Sequence, residues 1–257
     1  YFSAAGNNDY GWFVGGGFPN GISTVDRITY SNDTATAAVK GPLAAATHGT
    51  GGTGNNNYGY HGSGQTNYPG TGKSIVDRID YSNDTATAVA KGPLSSARGY
   101  GCAAGNADYG WFAGGGYPSQ TTTVDRIDYS NDTATALAKG PLTYNASHNG
   151  GSGNTFYGYI VSDFPSGTLV DRIDYSNDTA KASPRGNLSV DTGERGGTSA
   201  QENGLLERKL TISTPFAFGE NPTVSYPYGY YGDGNNYNTI VERIDYANDN
   251  NAPSRRG

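Results

Sequence analysis

The chain has 257 residues, enough for one large all-β domain or two smaller ones, with 40 Gly, 21 Tyr, a single Cys and a formal charge of -6. The acidic balance and sparse Lys/Arg argue against a nucleic-acid footprint, and no apolar run is long enough to span a bilayer. The lone Cys102 excludes an internal disulfide framework, and a chain with no Met that begins at Tyr1 is expected to be processed or part of something longer.

The segment beginning Val25-Asp26-Arg27 returns from Val76, Val124 and Val170, and more loosely from Val241 as Val-Glu-Arg-Ile-Asp-Tyr-Ala-Asn-Asp. In its fullest form it reads Val-Asp-Arg-Ile-Asp-Tyr-Ser-Asn-Asp-Thr-Ala-Thr-Ala. Its acidic residue recurs after 51 (Asp26 to Asp77), 48 (to Asp125), 46 (to Asp171) and 71 positions (to Glu242), so the last step carries about 23–25 extra residues. A period near 48 accommodates four short strands and four turns, which is one propeller blade.

In the third unit, Arg98–Gly105 is small and suited to an innermost strand. Asn106-Ala107-Asp108 then gives a turn, and Tyr109–Gly116 an aromatic strand ending in glycines. Thr121–Tyr129 alternates with period two as a third strand. Ser130–Thr133 is a tight turn, Thr133–Ala138 a light outer strand, and Pro141 ends the ladder. This predicts an all-β fold, a single five-bladed propeller with four antiparallel strands per blade. The blades are expected at about 1–43, 44–94, 95–142, 143–188 and 189–257, with an insertion near 204–222 that reads as a protruding hairpin. Closing such units into a ring would remove exposed sheet edges; an open solenoid is the competing arrangement.

The glycine-terminated aromatic strand, then Val-Asp-Arg-Ile-Asp-Tyr, then Pro-Leu and Arg98, resemble the order of a kelch repeat across all units. One departure is that kelch repeats carry a Trp on the outer strand. Here Ala and Thr stand there, and Trp12 and Trp111 lie on the second strand with Tyr60, Tyr159 and Tyr230 at matching places. The thirteen-residue unit also resembles repeats in structural proteins of marine bacteriophages, cyanophages in particular. That resemblance implies a virion-associated module of a tail, fibre or capsid, with other virion proteins as partners and the extracellular particle as location. A secreted, lectin-like cellular propeller is the alternative.

Three residue sets are candidates for chemistry. Arg126 and Asp128 share one strand face, repeated as Arg78/Asp80, Arg172/Asp174 and Arg243/Asp245, with Arg27 alone in the first unit. Charges between blades must be paired, so these residues are expected to tie blade to blade. The Ser-Asn-Asp turns offer oxygen ligands that could suit Ca²⁺, although ordinary Asx turns use the same residues and no full EF-hand spacing occurs; no other cofactor is expected. Finally, each loop between second and third strands carries an aromatic: Phe18, Tyr68, Tyr117, Phe164 and Tyr237. Flat rings among Ser, Asn, Gln and Gly suit sugar rings, so multivalent contact with host-surface glycans is one reading; pinning of the loops by aromatic-Pro pairs is the other. A purely structural virion component docked through Leu205–Pro222 is a further alternative. His48 and His61 fall in the second unit and His148 in the fourth, in first- or second-strand regions, and no nucleophile–base spacing stands out, so no enzymatic activity is expected.

Overall fold

A computed structural model describes residues 2–117, 119–148, 150–162, 167–191, 196–199, 228–232, 241–245 and 254–255. The fold is an all-β propeller of four-stranded antiparallel sheets, each wound in chain order from an inner to an outer strand. The first blade comprises β1 (Ser3–Gly6), β2 (Tyr10–Val14), β3 (Val25–Thr29) and β4 (Ala38–Val39). The second has β5 (Gly51–Gly54), β6 (Tyr58–Gly62), β7 (Val76–Asp80) and β8 (Val89–Lys91). The third has β9 (Cys102–Gly105), β10 (Tyr109–Ala113), β11 (Val124–Asp128) and β12 (Leu137–Ala138). The fourth has β13 (Gly150–Gly153), β14 (Tyr157–Val161), β15 (Val170–Asp174) and β16 (Ser183–Pro184).

Four blades are thus complete among the described residues, where the sequence reading expected five. A further sheet, β17 (Gly196–Ser199), β18 (Tyr228–Gly232), β19 (Val241–Asp245) and β20 (Ser254–Arg255), repeats the order, but only its strands are described. The proposed insertion at 204–222 lies outside the described residues.

The inner strands β1, β5, β9, β13 and β17 lie side by side in that order. Their small residues permit this approach: a Cβ on Gly151 would meet the backbone carbonyl of Ala103 on β9. The outer strands are shorter than the sequence predicts. Thr133 and its neighbours continue a turn instead, because Tyr129–Asn131 forms a single 3₁₀ turn capped by Asp128, whose side chain accepts from Ser130 N.

The core lies between blades rather than within them, each described seam being filled by side chains from the two sheets that flank it. Trp12, Val14, Val25 and Leu43 of the first blade pack on Ile79 and Ala88 of the second. Tyr60, Val76 and Leu94 pack on Ala103, Phe112, Ile127 and Ala136. Trp111, Val124 and Leu142 pack on Ile160, Ile173 and Ala182. At the fourth seam Tyr159, Val161, Val170 and Leu188 receive Ile244 from β19. The tryptophans read onto the second strand are therefore the largest inter-blade plugs, each stacked on the first tyrosine of the next blade's 3₁₀ turn. Trp12 lies 3.8 Å from Tyr81, and Trp111 lies 3.8 Å from Tyr175.

Candidate functional site: a seam code and an aromatic rim

The repeated charges meet in a pattern that differs from the expected one. Arg126 bonds Asp178 of the following blade at 3.0 Å, and that same carboxylate receives Trp111 Nε1 at 3.0 Å and Lys139 Nζ at 3.2 Å. Arg78, Tyr60 and Lys91 converge on Asp132 at 2.8, 2.9 and 3.1 Å. Arg27, Trp12 and Lys40 converge on Asp84 at 2.9, 3.0 and 3.2 Å. Each arginine also lies over a tyrosine of its own second strand, as with Arg27 on Tyr10 at 4.1 Å and Arg172 on Tyr157 at 4.3 Å.

Arg27, Arg78 and Arg126 thus each reach an aspartate of the next blade. The role given to Asp80, Asp128 and Asp174 is corrected. Each accepts from the backbone N–H and hydroxyl of the serine two residues on, at 2.9–3.0 and 2.6 Å, because the chain turns into the 3₁₀ segment right after the strand. They are local caps. The acceptors across the seam are the aspartates of the Ser-Asn-Asp turns, whose oxygens are engaged by Arg and Lys. The side chains of Arg243 and Asp245 lie outside the described residues.

Sequence reasoning missed this node although its signal was present. Lys40, Lys91 and Lys139 recur before Gly-Pro once per unit, as Asp84, Asp132 and Asp178 do in the unit that follows each. A charge repeated on an outer strand and another in a turn one unit later are partners only once blades stack side by side.

The first acidic residue of each unit has its own task. Asp125 accepts Ser95 N at 3.0 Å and Asp171 accepts Thr143 N at 2.7 Å, so each ties the incoming link to the third strand. In the third blade Arg98 completes this arrangement, bonding Asp125 at 2.7 Å and the carbonyls of Gly114 and Phe112 at 2.8 and 3.2 Å. In the second blade the equivalent of Arg98 is Thr47, and Asp77 faces a small cavity shared with Thr50, His61 and Lys73. Burial pushes the Asp77 carboxyl up to about 6, with Lys73 and the Ala44 N–H offsetting only part of it.

The rim aromatics are brought together more closely than separate platforms would be. The loops of the first two blades pair through their backbones, Tyr68 N donating to Pro19 O at 2.7 Å and Gly21 N to Thr66 O at 2.7 Å. This places Phe18 and Tyr68 with ring centroids 5.4 Å apart. Tyr68 lies 5.7 Å from Tyr117, Tyr117 lies 5.4 Å from Tyr100, and Tyr100 stacks on His148 at 4.2 Å. The result is one row of rings running from the first blade to the link into the fourth. Phe18 is 64% and Tyr68 43% exposed. Phe164 and Tyr237 lie outside the described residues.

Two members of this row, Tyr100 and His148, were not singled out as rim residues. They stand where the second blade has Gly49, at left-handed φ of 58° and 56° against 65° for the glycine. Tyr117 (59°) and Ser63 (62°) share that conformation at the same end of the blades. Non-glycine residues held there cost of order 1–3 kcal/mol each, and such strain concentrates at recognition surfaces. Beneath the row, Gln65 Nε2 donates to Tyr100 Oη at 2.9 Å and lies 3.0 Å from His48 Nε2, which itself lies 3.0 Å from Tyr100 Oη. Burial lowers the His48 pKa, so this knot supports the row as a neutral network. Burial likewise holds Tyr117 up at about 12, with a bond to Tyr68 adding to it.

His61 is buried at the seam of the first and second blades, Nδ1 2.9 Å from Ser3 Oγ, and burial holds it down at about 3. Among the described residues no three His, Cys, Asp or Glu side chains come together. No known protein-family model matches this chain, and no curated protein matches it.

Proposed function

We propose that this protein is a five-bladed, kelch-like propeller of a phage-like virion, an adhesion module that contacts host-surface glycans through its aromatic rim. The observation that carries the reading is the row Phe18–Tyr68–Tyr117–Tyr100–His148, with Phe18 and Tyr68 exposed, Tyr117 and His148 half-buried and Tyr100 buried between them, the last three at left-handed φ. Close to it in sequence stand neutral, solvent-accessible amides and a hydroxyl: Asn20, Asn67, Gln120 and Ser119. Sugar rings present C–H faces to aromatic planes and hydroxyls to amides, and a row without formal charge favours neutral saccharides.

Because the rings touch one another, the rim acts as one elongated platform over three blades rather than as equivalent sites around a ring. The virion setting rests on the resemblance of the thirteen-residue unit alone. A glycan array probed with the protein and with Tyr68→Ala and Tyr117→Ala variants tests the recognition. Loss of signal in both variants is expected, and retention of full binding in both would remove the rim from the account.

A further inference from the structure

The acidic residue that opens β7, β11 and β15 holds the incoming link in each case, but not equally well. Asp171 takes both the N–H and the hydroxyl of Thr143, at 2.7 and 2.6 Å. Asp125 takes the Ser95 N–H and the Arg98 guanidinium, at 3.0 and 2.7 Å. Asp77, equally buried, takes only the Ala44 N–H among the described residues. Its cross-strand partner is His61, where Asp125 faces Phe112 and Asp171 faces Ile160. A buried carboxyl with so few donors is costly to ionise.

The link that Asp77 holds, residues 44–48, lies between the two loops that start the aromatic row. Thr47 N donates to Ile22 O and Gly16 N to Thr47 O, both at 3.0 Å, so one side of the link pairs with the loop carrying Phe18. On the other side His48 N donates to Gln65 O at 2.9 Å and Gln65 N to His48 O at 3.0 Å, which fixes the loop carrying Tyr68. Lys73 ends that second loop, with its N–H on Gly64 O at 2.7 Å and its Nζ on Ala46 O at 3.0 Å. Lys73 also lines the small cavity with Asp77 and is the charge that partly offsets the burial of that carboxyl. Its ammonium therefore has two acceptors beside it, the Ala46 carbonyl that it occupies and the Asp77 carboxylate. The other titratable group at the cavity is His61, which burial holds down at about 3, so it stays neutral; Ser3, Thr47 and Thr50 bring only hydroxyls.

We infer that the link 44–48 is a pH-responsive tether of the rim: Asp77, once ionised, draws Lys73 away from the Ala46 carbonyl and loosens the loops that carry Phe18 and Tyr68. With Asp77 protonated the ammonium stays on Ala46, and the link holds both loops. Because the Asp77 carboxyl is pushed up to about 6, the tight state belongs to mildly acidic conditions and the loose one to neutral and alkaline conditions. The tether is a property of this chain alone; that it regulates recognition rests on the rim being the recognition surface.

Hydrogen exchange of the full chain at pH 5 and pH 8, read by mass spectrometry and corrected for the intrinsic rate of each amide, is the test. Residues 15–22, 44–50 and 63–73 are expected to exchange about tenfold faster at pH 8, while the third-blade link, 95–99, does not respond. Asp77→Asn is expected to abolish the response and keep all three segments at their pH 5 protection. Lys73→Gln keeps a donor for Ala46 O but has no charge to be drawn, and it is expected to lose most of the response. A parent that shows no response overturns the tether, and so does either variant that keeps the response in full. A neutral-saccharide array read at the same two pH values separates the tether from the glycan reading. Capture that weakens at pH 8 in the parent but not in Asp77→Asn supports both. An exchange response with no capture at either pH keeps the tether and removes the glycan reading; capture without an exchange response keeps that reading and overturns the tether.

Discussion

Arg98 and Asp125 form an ion pair at 2.7 Å with side-chain exposures of 2% and 0%, the most deeply buried pair among the described residues. The guanidinium also satisfies two backbone carbonyls, so the arginine fastens the link entering the third blade to that blade's second and third strands. Removing one partner leaves the other charged and unmatched in a poorly solvated place. Arg98→Met should therefore destabilise the protein by about 3–5 kcal/mol, while Arg98→Met combined with Asp125→Leu should cost less than Arg98→Met alone. Denaturant unfolding of the two variants and the parent measures this.

Asp132 predicts an acid response. Burial alone would raise the Asp132 pKa, but Tyr60, Lys91 and Arg78 overcome it and hold the carboxyl below its usual value. A carboxylate depressed on folding contributes stability that is complete above the unfolded value, near 3.9, and is lost as pH falls through the lower folded one. Asp132→Asn should thus cost roughly 2–3 kcal/mol at pH 7, and the gap between variant and parent should narrow below about pH 4. Melting curves between pH 2.5 and 7 check the sign.

Asp77 should behave in the opposite sense. Its carboxyl is pushed up to about 6 by burial, so ionising it opposes folding: the penalty begins as pH rises past the unfolded value near 3.9 and is complete above the folded one. Asp77→Asn keeps an acceptor for the Ala44 N–H and removes the charge. It should raise stability at pH 8 by about 1–2 kcal/mol, discounted for the cavity's access to solvent, with the gain shrinking towards zero below about pH 4. A variant less stable than the parent at pH 8 would contradict this account.

The glycines of the Lys-Gly-Pro turns give a steric test. A Cβ on Gly92 would run into the carbonyl of Ala134 on the next blade, and the Gly92 N–H donates to Asp132 O at 2.8 Å across the same seam. Gly41 and Gly140 meet Ala86 and Ala180 in the same way. Because the obstruction is backbone, Gly92→Ala should destabilise by about 2–4 kcal/mol, far beyond the ordinary effect of Gly→Ala in a loop. Gly196, with no neighbouring atom near its Cβ position, is the control and should tolerate alanine.

The four-strand blade was legible because its determinants are local and repeat. Tyr-Gly-Trp-Phe alternates as a strand that needs two covered faces, Asp128 and Ser130 cap a turn two residues apart, and Pro141 breaks the ladder. The same locality misled where a residue's partner lies one unit away. Arg126 and Asp128 share a face and invite pairing, yet the guanidinium reaches Asp178, 52 residues on. Likewise Phe18 and Tyr68 read as separate platforms until paired loop backbones bring their rings together, and Tyr100 and His148 gave no rim signal because they sit in the links between blades.

Sequence by itself thus determined the repeat, the strand order within a blade and which positions must be small, charged or aromatic, since these follow from spacing and backbone chemistry. Only the tertiary structure decided which charges meet, that Asp84, Asp132 and Asp178 are the shared acceptors, and that the rim aromatics form one row. The reason is geometric. Strands place neighbours along a chain, but packing sheet on sheet brings together residues about fifty positions apart, and contacts at that separation leave no mark in local pattern.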